Sequence, residues 1–257
     1  SKFILNKILS LVKYIYNYSD KILVTSKAFI PSIMEKGVDE KKILYLPQWA
    51  ESVFKSRLSI ASKYKHLFPN GFKIVFAGNI GESQDFESII KTAELIKENL
   101  NVQWIIIGGG RRKQWVKNQI KAKKLENNFH LIGKYEIDEM PDLYSNADAL
   151  LITLKKSEIF SLTIPAKIQS YLACGKPILS MMDGEGSRII DESMSGLTAP
   201  AEDPIMLSKN IKQMCDMSVK ELSIFGSNGR EYYKKKFERK ILIKKIENIF
   251  YELNKNK

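Results

Sequence analysis

The stretch KIVFAGNIGESQDFESIIKTAELIKENLNVQWIIIGGG, from Lys73 to Gly110, decides the fold. Its first run, 73–79, has an apolar centre and closes on a glycine turn. That predicts a strand covered on both faces. A helical pattern follows over about 84–99, and a second apolar run, 102–110, ends in three glycines. The alternation continues downstream. Strand-like runs at 128–134, 147–154, 176–182 and 196–200 are separated by helical patterns at about 111–124, 138–146, 163–174, 185–193 and 203–217. The predicted fold class is therefore α/β, a doubly wound parallel sheet.

Upstream, nearly every position of residues 3–18 is apolar except a stripe at Lys2, Asn6, Ser10, Lys13 and Asn17, the spacing of a helix with one narrow polar face. Such a helix needs a cover, either protein or a membrane surface. Strand-like KILVTS (21–26) and KILYLPQ (42–48) flank a short helix, a βαβ-like unit too small to close a sheet alone. The expected organisation is a helix plus βαβ unit over 1–50, a linker over 51–72, the α/β domain over 73–230 and a basic helix over 231–257. The start at Ser rather than Met raises the expectation of a fragment or a processed chain.

The apolar fraction of 44% fits a folded protein, and the net charge is +12. Half of that excess lies in 232–257, where nine Lys/Arg meet three Glu. That segment reads either as a surface helix packing through Ile241, Ile246 and Phe250 or as one drawn to anionic lipid. No interleaved aromatic-basic pattern or reading helix appears, so nucleic acid is not an expected partner. Cys174, Cys215, His66 and His130 form no metal, redox or triad spacing, so no metal and no cofactor are expected. Two cysteines without redox spacing lead to the expectation of a reduced, cytoplasmic protein, and no signal peptide and no membrane-spanning run is visible.

Doubly wound sheets bind ligands beyond the carboxyl ends of their strands. The segments there are Gly78-Asn79-Ile80-Gly81, Gly109-Gly110-Arg111, Gly133-Lys134-Tyr135, Lys155-Lys156-Ser157-Glu158 and Gly184-Glu185-Gly186-Ser187. Glycine lets a backbone approach a ligand, and the cations suit phosphate, so the edge predicts a phosphate-bearing nucleotide. Neither a dinucleotide fingerprint nor a P-loop is present. In PAKIQSYLACGKPILS (Pro165–Ser180), Lys167 opens a helix, where a cation is unfavourable unless an anion sits beside it. A solvated lysine on a first turn is the other reading. Gly175-Lys176-Pro177 reads as a helix C-cap and strand start, with Lys176 structural.

Taken in order, FAGNIGESQDFESIIKTAELI, IIIGGG, FHLIGKYEIDEMPDLYSNADALLITL, IPAKIQSYLACGKPILS and SGLTAPAEDPIMLSKNI resemble the donor-binding domain of retaining glycosyltransferases with the GT-B fold. The branch that builds bacterial O-antigen, capsule or exopolysaccharide is the most similar. The resemblance covers about 73–217, and 19–50 resembles the last βαβ unit of that fold's acceptor-binding half. It implies a Rossmann-like donor domain with a remnant of the other domain. It also implies transfer of a hexosyl or N-acetylhexosaminyl unit, with retention, from a nucleoside-diphosphate sugar, expected to be a UDP-sugar, to a lipid-linked glycan at the membrane's inner face. The chain alone is expected to turn over little.

On the same resemblance Lys167 stabilises the diphosphate or the transferred sugar as the catalytic cation. Donor contacts fall to Gly78, Asn79, Gly81, Gly110, Arg111, Gly133, Lys134, Tyr135, Pro165, Ser170, Gly186, Ser187 and Arg188, with the base held at Gly133-Lys134-Tyr135. Each of these loops also reads as a plain turn. The chain departs from the family pattern at four places. Leu162 and Ser170 stand where two glutamates are common, and Asn79 and Gln84 where an Arg and a Lys are. Ser170 can offer the ribose one hydroxyl at most. Lys167, Arg111 or Arg188 could replace the missing cations. The departures also suit a non-catalytic scaffold in a polysaccharide-assembly complex, which a filled cavity at the strand ends would favour.

Overall fold

The computed structural model describes residues 2–55 and 63–255. A helix, α1 (Lys2–Tyr18), which touches the small core through Tyr16, leads into a two-stranded parallel sheet of β1 (Ile22–Val24) and β2 (Ile43–Tyr45), joined through α2 (Phe29–Met34). The main body follows as β3 (Phe72–Ala77), α3 (Phe86–Ile96), β4 (Val102–Ile107), α4 (Lys113–Ala122), β5 (Phe129–Gly133), α5 (Met140–Ser145) and β6 (Ala149–Thr153). It continues through α6 (Glu158–Ser161), α7 (Lys167–Cys174), β7 (Ile178–Met181), α8 (Glu185–Glu192), β8 (Gly196–Ala199) and α9 (Pro204–Asp216) to α10 (Val219–Lys236) and α11 (Arg239–Lys255).

The six strands pair in parallel in the order β5-β4-β3-β6-β7-β8. The chain runs outward from β3 through β4 to β5, then returns to place β6 on the other side of β3. The order therefore reverses between β3 and β6, and a crevice opens beyond their carboxyl ends. Every residue of β4 and β6 is buried, because helices cover both faces. On one face, Ile168, Tyr171 and Leu172 of α7 pack on Val75, Ile105 and Leu150, with Tyr144 of α5 beside them. On the other, Phe86, Ile89 and Ile90 of α3 pack on Ile74, Phe76 and Trp104.

All eight strand-like runs form strands, each shorter than its run. Gly78 and Gly108 leave the strand line at φ 142° and 140°, and a Cβ on Gly108 would lie 1.9 Å from the Gly78 carbonyl oxygen. Only glycine fits that crossing. The helix expected over 163–174 begins at Lys167, because Pro165 disfavours helical backbone at Ile164. Gly175 closes it in left-handed conformation, at φ 68°. Lys176 donates to the carbonyls of Ser145 and Ala147 at 2.8 and 2.7 Å, the structural role expected of it.

Two expectations need correcting. The basic segment 231–257 is not one helix. Position 230 falls inside α10, which starts at a Ser218–Glu221 capping box and ends where the chain turns to bury Phe237. The segment 51–72 is more than a spacer, since Phe54, Tyr64 and Phe68 join the main core; residues 56–62 lie outside the described residues. Most large side chains of α1 stay exposed, Phe3 at 66% and Leu11 at 58%, while Tyr16 packs on the small core. Among the described residues no helix is long and apolar enough to cross a membrane.

Candidate functional site

The loops after β3, β4 and β5 enclose an open cavity of about 500 Å³ at the reversal crevice. Gly78 and Asn79 come from the first loop, Gly108 and Gly109 from the second, Lys134 and Tyr135 from the third. Met140 and Tyr144 of α5 complete an apolar wall, and Lys167 closes the far side. A second cavity, of about 610 Å³, lies between α7 and the segment 46–54, lined by Trp49, Glu51, Phe54 and Ser170. The two share Ile137, Tyr144 and Lys167.

Lys167 therefore stands at the seam. Its Nζ lies 4.0 Å from the centroid of the Phe76 ring and donates to Gln84 Oε1 at 2.9 Å. A Cβ on Gly78 would come within 2.7 Å of that nitrogen, so glycine there leaves room for the amine. Among the described residues no carboxylate partners it, and burial alone pulls its pKa from 10.5 to about 7. A buried amine opening onto a cavity and lacking a counter-charge is an anion site in waiting.

The expected site residues divide into two groups. Gly78, Asn79, Lys134, Tyr135 and Lys167 meet in the first cavity, and Ser170 opens into the second. Gly81 and Gly110 line neither cavity but support Asn79: built-in Cβ atoms would lie 2.5 Å from its Nδ2 and its Oδ1 respectively. Gly133 ends β5, and its carbonyl accepts from Gly108 N–H at 2.6 Å. Arg111 is exposed at a turn, and its neighbour Arg112 is held by Glu82 and Glu87 at 2.8 and 2.6 Å. Pro165 accepts from Ile168 N–H just ahead of α7.

The α8 loop faces inward. Gly186 packs against Met182, and the Ser187 hydroxyl donates to the Met182 carbonyl. Arg188 is paired with Glu185 at 2.8 Å and with Glu192, and Ser26 donates to Glu185 across from the small sheet. Of the three cations offered as replacements, Lys167 is the one that lines these two cavities. Sequence reasoning passed over Phe76, Tyr144, Ile137 and Trp49, whose side chains carry no local signal beyond hydrophobicity. His130 is held by Gln103 at 2.8 Å inside the sheet, and burial lowers its pKa, so it is a neutral structural group.

The family model for glycosyl transferases group 1 matches residues 61–232, the part of the chain that builds this sheet and both sides of the first cavity. The chain belongs to the group 1 glycosyl transferases. Among relatives of this transferase, "Probable glycosyltransferase WbjE" of Pseudomonas aeruginosa is 28% identical over 241 residues, covering 86% of the chain and 57% of that relative. The chain thus spans less than two thirds of the relative's length. A glycosyltransferase from Rickettsia africae ESF-5 shares the fold at TM-score 0.80 with 17% identity, covering 95% of the chain and 67% of its own. Anabaena Alr3699/HepE, solved in complex with UDP and glucose, does so at TM-score 0.76 with 15% identity and the same coverages. These likenesses establish a GT-B glycosyltransferase fold for the group 1 transferase described above.

Proposed function

We propose that this transferase takes a nucleoside-diphosphate sugar, with UDP as the nucleotide, in the cavity at the β3–β6 reversal. The observation that carries the reading is Lys167, an amine without a counter-charge at the seam of two open cavities. The apolar wall of Met140, Ile137 and Tyr144 suits a base, and the glycine turns after β3 and β4 suit close-lying phosphates. The phosphates then meet Lys167, and the sugar points toward the second cavity, where Trp49, Glu51 and Ser170 offer a ring face and hydroxyl partners. The UDP held by the HepE neighbour supports the choice of nucleotide.

The chemistry asked of the chain is positioning the donor and stabilising negative charge as the diphosphate departs. An ammonium at Lys167 does the second where it is worth most, away from bulk water. Retention of configuration, a hexosyl or N-acetylhexosaminyl unit, a lipid-linked glycan acceptor and surface-polysaccharide synthesis at the inner face of the membrane belong to this proposal. They rest on the resemblance. An open cavity favours this reading over a scaffold that has lost its ligand.

Calorimetric titration of the chain with UDP, GDP and ADP tests it. UDP is expected to bind saturably, with Lys167→Ala weakening it by tenfold or more. No binding by any of the three nucleotides would overturn the donor reading for this chain.

A further inference from the structure

Gln84 stands where the resemblance leads one to expect a cation, and the cation that reaches it comes from α7. Lys167 Nζ donates to its side-chain carbonyl oxygen at 2.9 Å. The residue is itself held: its backbone carbonyl accepts from Thr153 Oγ1 at the end of β6, on the other side of the crevice. The loop after β3, the strand β6 and the helix α7 therefore meet through this glutamine. We propose that Gln84 is the positioning residue of the anion site, holding the Lys167 amine at the seam of the two cavities without supplying a counter-charge, so that the ligand's phosphate becomes its charge partner. The inference rests on the donor reading above.

The physical content lies in the difference between an amide and a carboxylate. A glutamate here would form an ion pair in a poorly hydrated place, fix the proton on Lys167, and repel phosphate. The amide fixes position alone. The other charged groups around the seam leave that arrangement intact. On the same loop, Glu82 is paired with Arg112 and Lys155, and Asp85 accepts from the Ser88 N–H at the start of α3. Lys134 and Tyr135, from the loop after β5, and Tyr144 of α5 line the first cavity with the amine, and Glu51 lines the second. Tyr171 on α7 donates to the Leu151 carbonyl, and on α8 Glu185 is closed on Arg188. None neutralises Lys167, whose depressed pKa has burial as its sole cause. Above neutral pH the empty site then holds a free amine, and a phosphate-bearing ligand should enter together with one proton taken from the buffer.

Two measurements on the same variants test this. The first is the rate of acetic anhydride labelling of Lys167 across pH 6–10, read by mass spectrometry. The second is UDP titration at pH 8 in two buffers of different ionisation enthalpy. The parent is expected to show a labelling midpoint near neutral and uptake of close to one proton per UDP. Gln84→Glu is expected to raise the midpoint by a unit or more, abolish the uptake and weaken UDP at least tenfold. Gln84→Met, which keeps the volume and loses the acceptor, is expected to hold the midpoint near neutral while weakening UDP several-fold. Thermal melts confirm that each variant folds.

A parent midpoint at the ordinary lysine value overturns the proposal, as does a midpoint that Gln84→Glu leaves unmoved or a UDP affinity indifferent to both variants. Failure of the parent to bind UDP, with the Gln84→Glu shift still present, sinks the donor reading and the ligand coupling but supports the holding role.

Discussion

At the scale of single residues, Lys167 trades stability for a site. Its amine titrates near 7 in the folded chain and near 10.5 when unfolded. Between those values the unfolded state binds more protons, so native stability rises with pH across that window. Below pH 7 the burial cost is felt in full. Lys167→Met, of similar volume and without the charge, should therefore stabilise the protein by about 2–4 kcal/mol at pH 6, a range already discounted for the amine's access to cavity water. The gain should shrink toward zero by pH 10.5. Thermal unfolding at pH 6, 8 and 10 reads this directly, and an equal gain at all three would remove buried charge as the explanation. The lysine's oddity at a helix start was legible from PAKIQSYLACGKPILS. Its neighbours were not, since Phe76 and Gln84 reach it through the sheet rather than along the chain.

At the scale of elements, α7 is held in place by α10. The two helices cross at glycines: a Cβ on Gly226 would lie 2.1 Å from the Gly175 carbonyl oxygen, and one on Gly229 would lie 3.0 Å from Leu172. Because the nearest obstacle to Gly226 is backbone, it cannot swing aside. Gly226→Ala should cost about 1–3 kcal/mol in urea unfolding despite alanine's better helix propensity. A neutral or stabilising result would mean that the crossing is loose. The strands were easy to find because burial on both faces removes the polar alternation that blurs other strands. α10 was harder: its apolar stripe is thin, and its start lay in a capping box, Ser218 to Glu221, that hydrophobic periodicity does not report.

At the scale of the whole molecule, the small sheet meets the main body through Tyr45, which packs on the main core, and through polar ties. Ser26 reaches Glu185, and Lys245 of α11 donates to the Tyr45 carbonyl. α1 meets the small core only along one edge, through the half-buried Tyr16, and the rest of it is open, with Ile8 and Leu11 both more than half exposed. An apolar face of that extent promotes association. The chain should self-associate as its concentration rises in sedimentation velocity, and Ile8→Glu with Leu11→Glu should return it to monomer. Association that survives the double change would place the contact elsewhere.

By itself, the sequence determined the sheet and the edge at which a ligand would enter. Doubly buried strands and glycine turns are local patterns, set by backbone sterics and by the need to keep apolar runs from water. The glycine order after β3 and β4 also carried the family resemblance. The tertiary structure alone decided which of the three candidate cations lines the cavity beside Lys134. Arg111, Arg188 and Lys167 were all offered by the chain, with Lys167 marked only by its place at a helix start, yet Arg188 closes on Glu185 and Glu192, Arg111 is exposed at a turn, and Lys167 lies over Phe76 without a carboxylate. Whether a charge is matched or left for a ligand depends on distances between elements far apart in sequence, and those exist only once the sheet has formed.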